Sequence, residues 1–249
     1  MKRNIKSLIG FNIGATDGGI GRVNEFYFDD ETWTIRYLIV ETGSWLFGRK
    51  VLISPIALST PDWKNKIFPI NLTKEQIKNS PDIDTERPVS RQQELEIYAH
   101  YAWGSHWGGS FYAGGMPPPV SMYDVILNGN KNNTNKEVIG DPHLRSSEKV
   151  TGYTIKADNG EIGNVEDFLI DDGSWKIDFI VVDTGNLLPG KKVLISPNWI
   201  KDINWENSEV AVNATTDSIM NSPEYDPGQP LTDEYAASLQ KYYVIKIKK

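Results

Sequence analysis

Three histidines are the side chains of this 249-residue chain best suited to bind a metal or to move a proton near neutral pH. His100 and His106 lie close together in the sequence, whereas His143 stands alone in a polar stretch. The pair could hold a metal ion, or it could be a helix-end histidine and a loop histidine. The second interpretation is favoured, because no carboxylate and no third histidine stands at ligand spacing. We therefore predict no metal site and no cofactor.

Paired aspartates and two repeated serines are the other candidates for chemistry. The Asp-Asp pairs at residues 29–30 and 171–172 could act as paired acids or bind calcium. Adjacent side chains on an extended chain point to opposite faces, so turns are the favoured interpretation. Ser54 and Ser196 occupy equivalent places, but no histidine repeats with them, so a nucleophile with its base is not indicated. We predict that the chain is not an enzyme.

Recognition is expected in two aromatic segments instead. Residues 44–50 combine aromatic and basic side chains, the composition of an interface anchor, although packing of this loop on the chain itself is the favoured alternative. Residues 103–115 form an aromatic, glycine-rich stretch whose side chains are costly to leave in water. The candidate binding residues are Trp45, Phe47, Arg49, Lys50, Trp103, His106, Trp107, Phe111 and Tyr112.

An internal repeat with an offset of 142 residues organises the chain. Residues 10–88 align without a gap with residues 152–230, and the five residues 51–55 recur unchanged. Repetition at a fixed offset indicates two copies of one module. The predicted divisions are a first module with its terminal helices at residues 1–100, a linker at 101–141 and a second module with its terminal helices at 142–249.

Each copy has the pattern of short strands separated by turns. Asp17-Gly18 and its equivalent, Asn159-Gly160, have the composition of two-residue type I′ hairpin turns. A long strand from Trp33 is amphipathic at first and then apolar on both sides, as in a covered sheet. Last strands are predicted at residues 63–71 and 205–213, capped short helices at 73–78 and 215–220, and second helices at 90–101 and 232–243.

Composition limits the class of partner. The net charge of −7 and the pI near 5.1 would repel a phosphate backbone, so nucleic acid is not an expected partner. The absence of cysteine excludes disulfides and cysteine-ligated metals and fits a reducing compartment. No run of residues has the length and apolarity of a signal peptide or a membrane span. We expect a cytoplasmic protein without membrane insertion.

The order of these motifs resembles that of the PRC-barrel family, which is named for the cytoplasmic domain of the photosynthetic reaction centre H subunit. Both copies contain an Asp-Gly or Asn-Gly turn, Ile-Gly-x-Val, Asp-Asp, Trp-x-Ile, Thr-Gly and Val-Leu-Ile-Ser-Pro, in that order. The resemblance implies a mainly β fold with two small β-barrels in tandem, each followed by short helices.

The resemblance also implies that the protein acts through protein contacts. Members of the family, such as the H subunit and a ribosome-maturation factor, are adaptors without chemistry of their own. We expect a non-enzymatic scaffold or adaptor with an unidentified protein partner. Peripheral association with a membrane or electron-transfer complex, and homo-oligomerisation, stay open. The alternative is a sensor that binds a small ligand or a metal through the aromatic linker and the loop residues.

Overall fold

The structure of the protein is a computed structural model that describes most of the chain outside the linker. The described residues are 1–81, 89, 91–103, 141–185, 190–229 and 231–247.

Strands and short helices follow one another in a closely similar order in the two copies. The first copy contains β1 (Lys2–Asn4), α1 (Ile5–Leu8), β2 (Asn12–Ala15), β3 (Gly18–Asp29), β4 (Thr34–Thr42), β5 (Lys50–Ile53), β6 (Ile67–Pro69), α2 (Lys74–Lys78) and α3 (Arg91–Tyr101). The second contains β7 (Leu144–Ser146), α4 (Ser147–Val150), β8 (Thr154–Ala157), β9 (Gly160–Asp171), β10 (Ile177–Asp183), β11 (Lys192–Ile195), β12 (Ile200–Asn204), β13 (Glu209–Val212), α5 (Thr216–Met220) and α6 (Asp233–Ile247).

Two sheets account for the strands. One has the order β5-β4-β3-β2-β6, with β7 paired to β3, and the other has the order β11-β10-β9-β8-β13-β12, with β1 paired to β9. The β2–β6 and β8–β13 pairs are parallel. The short helices α2, α3, α5 and α6 follow the strands of their copies. The predicted mainly β class, with helices at the end of each copy, is confirmed.

The central strands are buried on both faces, as the sequence pattern predicts. In β4 all six residues from Ile35 to Val40 are buried, and in β10 the four residues from Phe179 to Val182 are buried. Arg36 is the charged member of the first run, and its Nη1 donates a hydrogen bond to Asp29 Oδ2 at 3.2 Å. The one charge within this buried run is therefore paired.

The opening hairpins form, but their turns are not of the predicted type I′. Ala15 pairs with Gly18, so the two residues between them make the turn, and φ is positive at Gly18 (136°) but not at Asp17. The Asp17 carboxylate instead accepts a hydrogen bond from the backbone N–H of Lys74 at 2.9 Å. Asn159 holds the first residue of α5 in the same way. The prediction was wrong because these side chains serve a distant helix rather than their own turn.

Left-handed residues shorten several predicted strands. Trp33 and Trp175 have φ of 55° and 57°, so each ends a turn and β4 and β10 start after it. Lys66 and Ser208 also take positive φ, and the last strands, β6 and β13, begin only beyond them. A left-handed residue breaks the extended conformation, which alternation of side chains alone does not reveal.

The structural repeat begins earlier than the sequence repeat. β1 and α1 stand 142 residues before β7 and α4, so both copies open with a strand and one helical turn. Between residues 2 and 8, only Arg3 is identical to its equivalent, Arg145. Sequence identity therefore did not reveal this part of the repeat.

The two compact units of the protein interleave along the chain. One, called here the shared unit, consists of residues 1–9, 25–36 and 145–249, and the other, the first-copy unit, of residues 10–24 and 37–144. The shared unit therefore takes its parts from both copies of the repeat.

Reciprocal hydrogen bonds join the tips of two hairpins in the shared unit, the β3–β4 hairpin and the β9–β10 hairpin. The backbone N–H of Ile35 donates to the carbonyl of Trp175 at 2.8 Å, and that of Ile177 donates to the carbonyl of Trp33 at 2.7 Å. Thr34 and Lys176, which lie between these donors and acceptors, form an antiparallel bridge. Each tip thus satisfies backbone groups of the other.

The same hairpins supply aromatic side chains to the core of the shared unit. The rings of Phe28 and Phe168 are 5.5 Å apart, and those of Phe26 and Trp175 are 6.4 Å apart. Phe28 also stacks on Trp33 at 5.4 Å. Aromatic pairs of this kind contribute about 0.5–1.5 kcal/mol beyond their buried area. The contact between the tips is therefore apolar as well as hydrogen-bonded.

The Asp-Asp pairs form turns, as predicted, and their second members have a further role. Asp172 Oδ2 accepts a hydrogen bond from Arg3 Nε at 2.7 Å, and Asp30 Oδ2 accepts one from Arg145 Nε at 2.6 Å. In both cases the arginine belongs to the segment that opens the other copy. The repeated aspartates thus bind β1 and β7 to the two hairpins.

Glycine is required where β3 approaches the end of β4. A Cβ atom on Gly21 would lie 2.0 Å from the carbonyl oxygen of Glu41, and one on Gly163 would lie 1.9 Å from that of Asp183. No side chain is accommodated at such a distance unless the backbone moves. This contact explains why Ile-Gly-x-Val appears in both copies.

Replacing Gly21 by alanine is expected to destabilise the protein by about 3 kcal/mol, because the new methyl group overlaps a backbone carbonyl. Urea unfolding followed by circular dichroism measures the change. Gly19→Ala is the matched control, since a Cβ there meets no atom within 4 Å. Equal losses for the two variants would contradict the steric explanation.

Acid is expected to weaken the turn at Asp171. The pKa of this carboxyl is lowered, first by the hydrogen bond from the backbone N–H of Ser174. A carboxyl with a lower pKa in the folded state stabilises it above the unfolded value, near 3.9, and that stability is lost as the pH falls toward the folded value. The urea concentration at the unfolding midpoint should therefore decrease as the pH is lowered from about 5 to about 2. Asp171→Asn should make this concentration depend less on pH. Asp202→Asn, an exposed position in β12, should leave the dependence on pH unchanged.

Candidate interaction loop

The loop between β4 and β5 lies in the first-copy unit and carries three of the predicted binding residues, Trp45, Phe47 and Arg49. It starts with a 3₁₀ turn at Ser44–Leu46. The backbone N–H of Gly48 donates to the carbonyl of Gly43 at 3.3 Å, and that of Arg49 donates to the carbonyl of Leu46 at 3.1 Å. Internal hydrogen bonds therefore fix the path of the loop.

Phe47 stands at the tip of this loop. Its side chain is 97% exposed, more than any other large apolar side chain in the described part of the chain. Its backbone is left-handed, with φ of 55°, which is uncommon for a bulky residue. The left-handed backbone makes Phe47 the C-cap of the 3₁₀ turn, where its N–H donates to the carbonyl of Ser44 at 3.4 Å and its side chain points away from the module. Phe47 is the residue of the loop best placed to contact a partner.

Trp45 secures the loop to its own module. The side chain is half-buried, and its indole N–H donates a hydrogen bond to the carbonyl of Ile20. The Lys74 ammonium lies 5.4 Å from the centre of the ring, within range of a cation–π interaction. Packing on the chain itself, the favoured alternative from the sequence, therefore describes Trp45 but not Phe47.

Arg49 also binds the scaffold. Its guanidinium donates hydrogen bonds to three backbone carbonyls at the end of α2, those of Lys78 (3.1 Å), Ser80 (2.7 Å) and Pro81 (2.8 Å). Carbonyls at a helix C-terminus lack helical partners and favour a cation. Arg49 thus holds the loop against α2.

The second copy repeats this clamp with a lysine. Lys191, equivalent to Arg49, donates to the carbonyls of Met220 and, at 3.0 Å, Ser222. The next residue, Lys192, pairs with Glu166 at 2.5 Å. The basic pair common to both loops therefore has a structural function in the second copy.

Lys50 and Phe47 differ from the clamp residues in their surroundings. Lys50 is half-buried at the start of β5 and stands opposite Glu41 of β4. The residue equivalent to Phe47 is Pro189, which lies outside the described residues. The exposed aromatic tip is therefore a feature of the first copy alone in sequence.

Trp103 belongs to an aromatic cluster after α3. It is 8% exposed, its ring stacks on Tyr101 at 4.4 Å, and it meets Tyr98 edge-on at 5.7 Å. His100 Nε2 lies 2.7 Å from the carbonyl of Gln76, to which it donates a hydrogen bond. Both residues thus pack α3 within the first-copy unit. The other predicted binding residues, His106, Trp107, Phe111 and Tyr112, lie outside the described residues.

Comparison with protein families agrees with the resemblance seen in the motifs. A family model for the PRC-barrel domain matches residues 2–77. These residues are a PRC-barrel domain. The match runs from β1 into α2 and includes the Phe47 loop. The second copy is related to this domain by the 142-residue repeat and by its order of strands. No curated protein sequence matches the chain.

The serines of the PRC-barrel domain and of its repeat serve as caps. Ser54 Oγ accepts a hydrogen bond from the backbone N–H of Ile56 at 3.5 Å, and Ser196 Oγ accepts one from that of Asn198 at 3.4 Å. Each serine therefore caps the 3₁₀ turn that follows its strand. Among the described residues, no group of three or more histidines or acids is placed to hold a metal ion. None of the described helices has the length and apolarity to cross a membrane.

A groove of about 560 Å³ in the shared unit was missed by sequence reasoning. Asp167 is buried there, and burial raises the pKa of its carboxyl. Its Oδ1 accepts a hydrogen bond from the backbone N–H of Lys6 at 3.1 Å, while the Tyr225 hydroxyl donates to Asn4 Oδ1 at 2.6 Å. These polar groups bind the opening segment of the chain to β9. No local pattern predicts contacts between residues so far apart in sequence.

Arg49→Ala is expected to lower the stability of the PRC-barrel domain by about 1–3 kcal/mol, because three carbonyls lose a charged donor. Urea unfolding measures the loss. Arg49→Lys should retain most of the stability, since Lys191 makes two of the equivalent bonds in the second copy. A lysine variant as unstable as the alanine variant would contradict the clamp.

Proposed function

We propose that the protein is a non-enzymatic adaptor that binds a protein partner through the Phe47 loop. The observation that carries this proposal is the 97% exposure of Phe47 on a backbone that is left-handed and internally hydrogen-bonded. We place the adaptor in the cytoplasm, which the absence of cysteine supports.

The loop has the physical properties of an interface anchor. Trp45 and Arg49 attach it to β3 and to the end of α2, so little conformational entropy remains to be lost when a partner binds. Burial of an aromatic side chain such as that of Phe47 contributes about 1.5–3 kcal/mol. Rigid aromatic residues of this kind dominate many protein interfaces.

Structural use of the reactive side chains supports a role without catalysis. Ser54 caps a 3₁₀ turn, Asp30 binds Arg145, and Asp167 accepts backbone hydrogen bonds. These contacts account for the polar side chains in structural terms. The proposed function therefore relies on the surface of the domain.

Phe47→Ser tests the proposal by quantitative affinity purification from the native cell. A discrete protein that copurifies with the wild type should be lost with the variant. For an anchor residue worth about 2 kcal/mol, the affinity should fall about thirtyfold. Titration of the purified partner by calorimetry then measures this change directly.

Ile56→Ser is the matched control, because Ile56 is 56% exposed in the same unit but lies outside the loop. It should leave binding unchanged. The thermal unfolding temperature of Phe47→Ser should also stay near that of the wild type, since the side chain makes few contacts. A partner retained by Phe47→Ser, or lost equally with Ile56→Ser, would overturn the proposed role of the loop.

A further inference from the structure

The opening segment of the chain is bound in the shared unit by a strand of the other copy. β1 pairs with the end of β9 in antiparallel register, with Lys2 opposite Asp171 and Asn4 opposite Leu169. Lys2 also forms an ion pair with Asp178. Main-chain pairing of this kind is the mode by which an extended peptide adds to a sheet.

Side chains make the binding of this segment specific. Arg3 donates to Asp172 at 2.7 Å, and the apolar side chains of Ile5 and Leu8 are 2% and 1% exposed. The segment therefore presents two charged contacts, from Lys2 and Arg3, and two buried apolar side chains.

The opening segment of the second copy is bound in the same way by a hairpin of the first copy. β7 pairs with β3, Arg145 donates to Asp30 at 2.6 Å, and Val150 is buried at the position equivalent to Leu8. The segments share an arginine followed five residues later by an aliphatic side chain. Each hairpin thus has an acceptor surface for a segment from the opposite copy.

We propose that this acceptor surface on β9 also binds residues 2–8 of a second copy of the chain. Exchange would replace the contacts with identical ones, and exchange of an identical element between chains is a low-cost route to dimers. The connection contains a glycine, Gly10, with φ of 83°, at which the backbone can change direction once its hydrogen bond to the carbonyl of Val23 opens. Two chains that exchange residues 2–8 form a dimer at high protein concentration.

Single-cysteine variants test this exchange, since the natural chain has no cysteine. Lys2→Cys and Asp171→Cys are placed in separate full-length chains of different tag length, mixed at high concentration and oxidised. Opposed residues in an antiparallel pair are close enough for a disulfide. A covalent heterodimer should appear on a non-reducing gel. Its yield should rise with protein concentration.

Two controls make the result decisive. Lys2→Cys and Asp171→Cys in one chain should form an internal disulfide, which shows that the variants fold with β1 on β9. Asp29→Cys, at the position equivalent to Asp171 in the first copy, should give no heterodimer with Lys2→Cys. If the internal disulfide forms but the mixed chains give no heterodimer, or give it equally with Asp29→Cys, exchange between chains is overturned.

Discussion

Two backbone hydrogen bonds, between Ile35 and Trp175 and between Ile177 and Trp33, determine how the shared unit is built. Each tryptophan takes a left-handed backbone at the end of a turn, and its carbonyl accepts a bond from the opposite hairpin. A hairpin without its counterpart would leave a backbone donor and acceptor without these partners and expose Phe28 or Phe168 to water. The same hairpins bind β7 and β1, the opening strands of the opposite copies, through Asp30 and Asp172.

Comparison of the two copies distinguishes positions that maintain the fold from positions that the fold does not require. Positions that repeat in both copies, such as Gly21 with Gly163 and Arg49 with Lys191, make the same close approach or the same clamp. Phe47 makes no such contact, and Pro189 takes its place in the second copy. A position that the fold does not need can diverge in one copy without cost to the packing of that copy.

Local patterns predicted much of the fold and little of the site. The alternation of apolar residues gave β4 and its two-sided burial, and the Thr73 cap gave α2. The composition of the Asp17-Gly18 turn predicted the wrong turn type, because the Asp17 carboxylate binds the first residue of α2, more than fifty residues away. The aromatic and basic composition of the loop did not distinguish Phe47 from Trp45 or Arg49, because that distinction depends on contacts with β3 and α2. The pairing of β1 with β9 and of β7 with β3 likewise joins residues that are distant in the sequence, so no local pattern predicts it.

The core of the shared unit is built by parts of both copies. An inserted protease site after Asn133, in the linker, allows the folded full-length chain to be cut into two fragments without changing the described residues. Size-exclusion chromatography before and after cleavage is the measurement. Both fragments should elute together at the position of the uncut protein and separate only in denaturant. Folded fragments that separate under native conditions would contradict this shared core.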